Sequence, residues 1–172
     1  DVHISHFFGI CSIKNSESHD ASPLRMHKGR LVVGGNNIFD AFGSHVIWEQ
    51  IGASPASAEA SRFGDAYGAQ PGYFQATSDA ESAYTQALLK GPPFWVRLPK
   101  YLWPATWHNI KDPVIILRYA LDGHSLSGNV LHEYMVAMIG VKSGIDFTLV
   151  SDAWPSTFSS KTYRCILVMY VD

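Results

Sequence analysis

Four prolines within Gly91 to Asp112 (GPPFWVRLPKYLWPATWHNIKD) constrain this chain more than any other feature. Pro92, Pro93, Pro99 and Pro104 each lack a backbone donor and fix φ, so neither a long helix nor an inner strand is expected there. Trp95, Trp103 and Trp107 share the stretch and need a surface to pack on, which points to an ordered loop covering something. Rigid prolines lower the ordering cost of presenting aromatics. The three indoles therefore serve either recognition of a partner or a substitute core beneath the loop.

The segment divides two patterns. Behind it, Pro113 to Leu121 (PVIILRYAL) reads as a buried strand, followed by strands over His132 to Val141, Ile145 to Val150 and Tyr163 to Val171. Lys142-Ser143-Gly144 and Ser151 to Thr162 are the connections between them. Ahead of it, His3 to Ile13 reads as a first strand broken near Gly9. Leu24 to Val33 is strand-like at both ends with a turn at Lys28-Gly29. Gly34 to Asn37 is a turn, and Ile38 to Ile51 is a helix stopped by Gly52. Ala53 to Ser61 is a linker or a short helical turn.

Arg62 to Leu89 carries the most local order. Gly64, Gly68, Pro71 and Gly72 mark a loop, and Tyr73-Phe74 a short aromatic strand. Ser78-Asp79-Ala80-Glu81 fits a capping box, and Ala80, Ala83, Tyr84, Ala87 and Leu88 then form one apolar helical face. The layout is α+β in one domain: a helical, loop-rich first half and a mainly antiparallel sheet in the second.

Composition narrows the function classes. Of 172 residues, 47% are apolar and 16% charged, which suits a packed globule rather than a disordered tail. The formal charge of −2 and the lack of any basic run argue against nucleic acid as a partner. No apolar run reaches the length of a membrane helix, so no membrane partner is expected. The polar opening at Asp1 does not read as a signal peptide, although a removed leader stays open. Aromatic content of 13% with five tryptophans fits a secreted protein. Cys11 and Cys165 lie in terminal strands, where they form either one disulfide or two buried thiols. The eight histidines lack the spacing of a helical zinc motif, and no G-x-S-x-G elbow is present, so metal and serine-hydrolase chemistry are not expected.

Three elements remain: His27 in Leu24 to Gly29, Tyr73-Phe74 before a capped helix, and Glu133 opening the expected strand Glu133-Tyr134-Met135-Val136. With these the chain resembles the ADP-ribosyltransferase superfamily, from poly(ADP-ribose) polymerases to toxin enzymes. Gly72-Tyr73-Phe74 with Ser78 to Tyr84 is similar to the polymerase segment in which "YF" precedes a helix. Glu133-Tyr134-Met135-Val136 is similar to the "EYIV" around the catalytic Glu. Arg62-Phe63-Gly64 with Gly68 resembles the "RFG…G" of NAD glycohydrolases. The likeness spans Leu24 to Val150 and implies an ADP-ribosyltransferase-like fold with NAD as substrate. It also implies Glu133 as the catalytic carboxylate stabilising an oxocarbenium-like state. His27 would then bind the adenosine ribose, Tyr73 or Tyr84 would stack on nicotinamide, and Ser78 would line the cofactor site.

The sequence departs from that pattern in places. Position 131 is Leu, so the Glu-x-Glu of arginine-modifying toxins is absent, and Met26-His27-Lys28-Gly29 replaces the usual His-Gly-Thr. A protein acceptor, simple NAD hydrolysis, and a non-catalytic secreted effector or capsid-like protein all remain open.

Overall fold

A computed structural model describes residues 1–48 and 55–171. The described chain is α+β, with two α-helices and two sheets. It divides into two compact units, Asp1–Glu49 with Leu89–Ser127, and Gln50–Leu88 with Gly128–Asp172.

The first unit is a four-stranded sheet in the order β2-β1-β3-β4. Its strands are β1 (His3–Lys14), β2 (Met26–Val33), β3 (Phe94–Arg97) and β4 (Val114–Leu117). β1 runs parallel to β3 over His3↔Phe94 to His6↔Arg97, and the other two pairings are antiparallel. The core gathers Phe7, Val33, Ile38, Phe94 and Val96, with Leu31, Trp48, Ile115 and Leu121 packed around it. Burying each large apolar side chain contributes about 1.5–3 kcal/mol before entropy is counted.

Several expectations change here. β1 is continuous through Gly9, and β2 is continuous through Lys28-Gly29, because each supplies the other's ladder partners. β3 is an inner strand inside the proline-rich segment. Pro93 and Pro99 lie outside it, so no ladder donor is lost, and the Pro93 carbonyl accepts the His3 amide at 3.0 Å. The rest of the segment is a loop with two 3₁₀ turns in which Trp103 Nε1 donates to the Leu98 carbonyl at 2.9 Å. Trp95, Trp103 and Trp107 are all partly exposed.

Residues 38–48 are not helical, and positions 49–51 of the expected helix lie outside the described residues. Phe39 instead makes bridges to Ile4 and His45, and Asp40 accepts the amides of Phe42 and Ser44. An acid capping its own turn offers the backbone an alternative to helix.

The second unit holds α1 (Ala58–Gly68), α2 (Ser127–Ala137, starting one residue before the unit) and an antiparallel sheet of β5 (Thr148–Leu149), β6 (Thr157–Ser160) and β7 (Cys165–Val168). Arg62 to Gly68, expected as glycine loop, is the body of α1. Ser57 caps it by accepting the Ala60 amide at 3.1 Å, and Glu59 sits in the first turn. Gly64 is there for closeness, since a Cβ at that position would stand 3.2 Å from Val168 Cγ2 on β7. The helix ends before Pro71 and a left-handed Gly72.

The capping-box helix does not form. Ser78 to Ala80 are irregular coil, and only Ala83–Gln86 make a 3₁₀ turn behind a left-handed Ser82. The Ser82 carbonyl accepts both the amide and the hydroxyl of Thr85, and Gln86 Nε2 donates to the Glu81 carbonyl, so a 3₁₀ turn with side-chain bonds stands in place of a helix. So short a helix is marginal on propensity alone. The expected strand over His132 to Val141 is α2 followed by a π-helical turn at Met138–Lys142. Ser127 fixes where α2 starts, because its hydroxyl donates to the Leu121 carbonyl and accepts the Leu121 amide. β6 lies in a stretch expected to be only a connection. Both cysteines are free, Cys11 exposed on β1 and Cys165 half-buried on β7.

Candidate functional site

Beyond Phe7, β1 has left β3 and pairs with β2 alone. Gly9–Lys14 and Met26–Arg30 thus form a two-stranded ribbon whose residues are all exposed. Registered pairs share a face and successive residues alternate between faces. Phe7↔Val33 faces the core, so the pairs Phe8↔Val32, Ile10↔Arg30, Ser12↔Lys28 and Lys14↔Met26 occupy the other face. That face therefore gathers Lys14, Lys28 and Arg30 beside exposed Phe8, Ile10 and Met26.

Neither strand contains an acid. The connecting turn carries Glu17 and Asp20, and Asp20 is paired with Arg25. Among the described residues, Lys14, Lys28 and Arg30 have no ion pair. The linear sequence shows no basic run because these three cations come from two strands separated by a long turn. Only the pairing assembles them.

The residues named by the resemblance are distributed as follows. His27 lies exposed on β2 opposite Ile13, within the first unit, and no helix follows among residues 34–48. The other four are in the second unit. Glu133 does not open a strand: it is exposed on α2, where Asn129 Nδ2 donates to Oε1 at 3.2 Å. Ser78 is exposed in coil and caps nothing, and Tyr84 is partly buried in the 3₁₀ turn. Tyr73 lies in irregular chain rather than in a strand, with Phe74 beside it 87% exposed.

Tyr73 is nonetheless the centre of a cluster. Arg164 Nη2 donates to its hydroxyl at 2.6 Å, and the guanidinium carbon stands 5.5 Å from the ring centroid. Tyr67 meets it edge-on at 4.7 Å and donates to the Arg164 carbonyl at 3.3 Å. The hydrogen bond with Tyr73, then burial, hold the Tyr67 phenol above its usual range. Phe63 extends the cluster to Trp154, 5.6 Å away. Arg164 has a left-handed backbone, φ 50°, on the turn between β6 and β7. Sequence reasoning found Tyr73 but missed Arg164, whose role depends on that turn.

A third cluster lies in the first unit. His124 is 6% exposed, edge-on to Phe94 at 4.4 Å and tilted to Trp48 at 5.9 Å. Burial, then the nearby His3, lower its pKa to about 4. Its Nδ1 accepts the Leu126 amide at 3.2 Å, which places the neutral ring's proton on Nε2.

Among the described residues, no group of three or more His, Cys, Asp or Glu is arranged to hold a metal, and no helix is long and apolar enough to cross a membrane. Searches of protein-family models, curated proteins and solved structures found nothing that matches this chain.

Proposed function

We propose that this protein binds the phosphate backbone of a nucleic acid through the β1–β2 ribbon. The observation that carries the reading is the acid-free face holding Lys14, Lys28 and Arg30. Lys28 and Arg30 are two residues apart on one strand, about 6.8 Å. Side chains that far apart on one face can each meet a different phosphate of one strand. A two-stranded ribbon has the width that a major groove admits. The overall charge of −2 does not oppose this, because charges beyond a Debye length of about 8 Å are largely screened. The test is fluorescence anisotropy with labelled duplex and single-stranded oligonucleotides across a salt series. Three phosphate contacts give a slope of log K against log salt of about −2.7 on duplex. Binding that is unchanged in strength and slope when all three cations become alanine would count decisively against the reading.

A second reading, NAD binding with ADP-ribosyl transfer, has one supporting observation. The Tyr73 ring, which the resemblance assigns to nicotinamide stacking, lies against a guanidinium suited to a phosphate. In that reading Glu133 stabilises the oxocarbenium-like state, and water or a protein acceptor takes the ribosyl group. Nicotinamide release, followed with and without candidate acceptor proteins, tests it. Glu133→Gln is expected to lower turnover by roughly 10²-fold. A Glu133→Gln variant as active as the wild type removes the carboxylate's role, and no NAD-dependent thermal shift removes the site.

A further inference from the structure

At the root of the ribbon two rings lie directly on glycines. The His6 imidazole lies against Gly34, where a Cβ would stand 2.6 Å from Cε1. Tyr101 comes from the β3–β4 loop and lies against Gly9, where a Cβ would stand 2.8 Å from the Tyr101 hydroxyl oxygen. Gly9 sits three residues past His6, the last residue that β1 pairs with β3. From that point the ribbon has no second sheet neighbour to set its direction. A two-stranded ribbon alone is flexible in water, and glycine within a strand marks a close approach by another group.

We infer that Tyr101 is a positioning residue: its hydroxyl against the Gly9 backbone is the stop that fixes the angle at which the ribbon leaves the sheet. The side chain is 72% exposed, so burying its ring contributes little to the core. What the residue contributes is a contact at the pivot. The functional part of the inference rests on the phosphate-binding reading, since the angle decides how Lys14, Lys28 and Arg30 meet a strand of phosphates.

The geometry supplies its own test. The Tyr101 Cζ atom would stand 4.0 Å from a Cβ at Gly9, an ordinary contact once the hydroxyl is removed. Tyr101→Phe alone opens a gap, and Gly9→Ala alone makes either the Tyr101 ring or the ribbon move aside. The two together refill the space. Spin labels are placed at Ser16→Cys and Arg118→Cys in the full chain carrying Cys11→Ser and Cys165→Ser, and their distance distribution is measured. One narrow distribution is expected for the parent, a broadened one for Tyr101→Phe, a shifted one for Gly9→Ala, and a return toward the parent for the double variant. Single variants indistinguishable from the parent, or a double variant as perturbed as the two singles combined, overturn the inference. Tyr101→Phe changes only an exposed side chain, so the test stands even where Gly9→Ala does not fold.

A separate arm measures binding to a labelled 20-mer duplex. Each single variant is expected to weaken binding about fivefold, within the range of coupled neighbours, with an unchanged salt slope because no charge is altered. A response in the label distances, with no effect on binding from the three lysine and arginine substitutions, upholds the brace and removes only the phosphate-binding reading.

Discussion

The Arg97 guanidinium grips the Asp112 carboxylate with two parallel hydrogen bonds, Nε to Oδ1 at 2.8 Å and Nη2 to Oδ2 at 2.9 Å. The pair joins the end of β3 to the residues before β4 and so closes the tryptophan-proline loop at its base. Asp112 holds a left-handed backbone there, φ 51°, which a non-glycine residue adopts only at a cost of order 1 kcal/mol.

Arg97 holds the Asp112 carboxyl below the usual carboxylate range, and Asp112 raises the Arg97 pKa in turn. Because the folded-state value is lowered, the stabilisation is complete above the unfolded value of about 3.9 and is lost as pH falls through the folded value. A double-mutant cycle of Arg97→Ala and Asp112→Ala should show favourable coupling at neutral pH and none at strongly acidic pH. Coupling that persists in acid would mean that packing, not charge, joins them. Both side chains are about half exposed, so the coupling should be small and should shrink in high salt.

His124 is expected to make the first unit acid-sensitive. Its folded pKa of about 4 lies below the ordinary histidine value, so the unfolded chain binds the proton first. Stability is therefore lost as pH falls from the unfolded value of about 6.5 toward 4, by roughly 3 kcal/mol in all. Denaturant midpoints measured across that window should flatten in His124→Gln, which keeps an acceptor for the Leu126 amide. An equally steep dependence in the variant would place the acid sensitivity elsewhere.

Ile38 is 1% exposed within the core of the first unit. Its truncation to alanine should cost about 2–5 kcal/mol through lost burial and the cavity left behind. Chemical denaturation measures this directly, and a loss below about 1 kcal/mol would show that the surrounding loop collapses into the space.

Ser57→Ala should destabilise the second unit by about 1 kcal/mol, because the Ala60 amide loses its acceptor. Ser57→Asp should retain most of that stability, since a carboxylate caps equally well and favours a helix N-terminus. Thermal melts of the two variants side by side decide whether the cap or some other role of the hydroxyl matters.

Tyr73→Phe should loosen the turn between β6 and β7, because Arg164 Nη2 loses its 2.6 Å acceptor while the ring contacts survive. A hydrogen bond to a charged group is worth about 1.5–3 kcal/mol where it is protected from water and less at this exposed arginine. Faster amide exchange at residues 161–165 is the expected signature. Exchange unchanged from the wild type would mean that the bond from Arg164 to the Tyr73 hydroxyl is not what holds the turn.

By itself the sequence determined the α+β class and most short apolar strands. The expected division into a helical first half and a sheet-forming second half fails, because β1 and β2 join β3 and β4 in one sheet with a parallel pair. Val114–Leu117 and Cys165–Val168 lie inside segments whose continuous apolar runs already read as strand, and His3 to Ile13 read as a strand although with a break near Gly9 that β1 does not have. The turn at Gly34 to Asn37 was legible too, with the Asn37 amide bonded to the Gly34 carbonyl.

What the sequence did not determine are features that depend on a distant partner and, in two places, on competing side-chain bonds within a few residues. Gly64 reads locally as a helix breaker, yet it lies within a helix at a place where a Cβ would crowd Val168 on β7. Ser78 to Glu81 reads as a capping box, yet Ser82, Thr85 and Gln86 satisfy the backbone in another way. Glu133 reads as a strand opening, but Ser127 binds Leu121 and starts a helix first. The site residues follow the same rule. Tyr73 was visible as an aromatic, while its partner Arg164 comes from a turn 91 residues away. Lys14, Lys28 and Arg30 are three unremarkable cations along the chain until β1 pairs with β2. Local propensity acts over a few residues, whereas register and close packing are fixed by contacts between segments far apart in sequence.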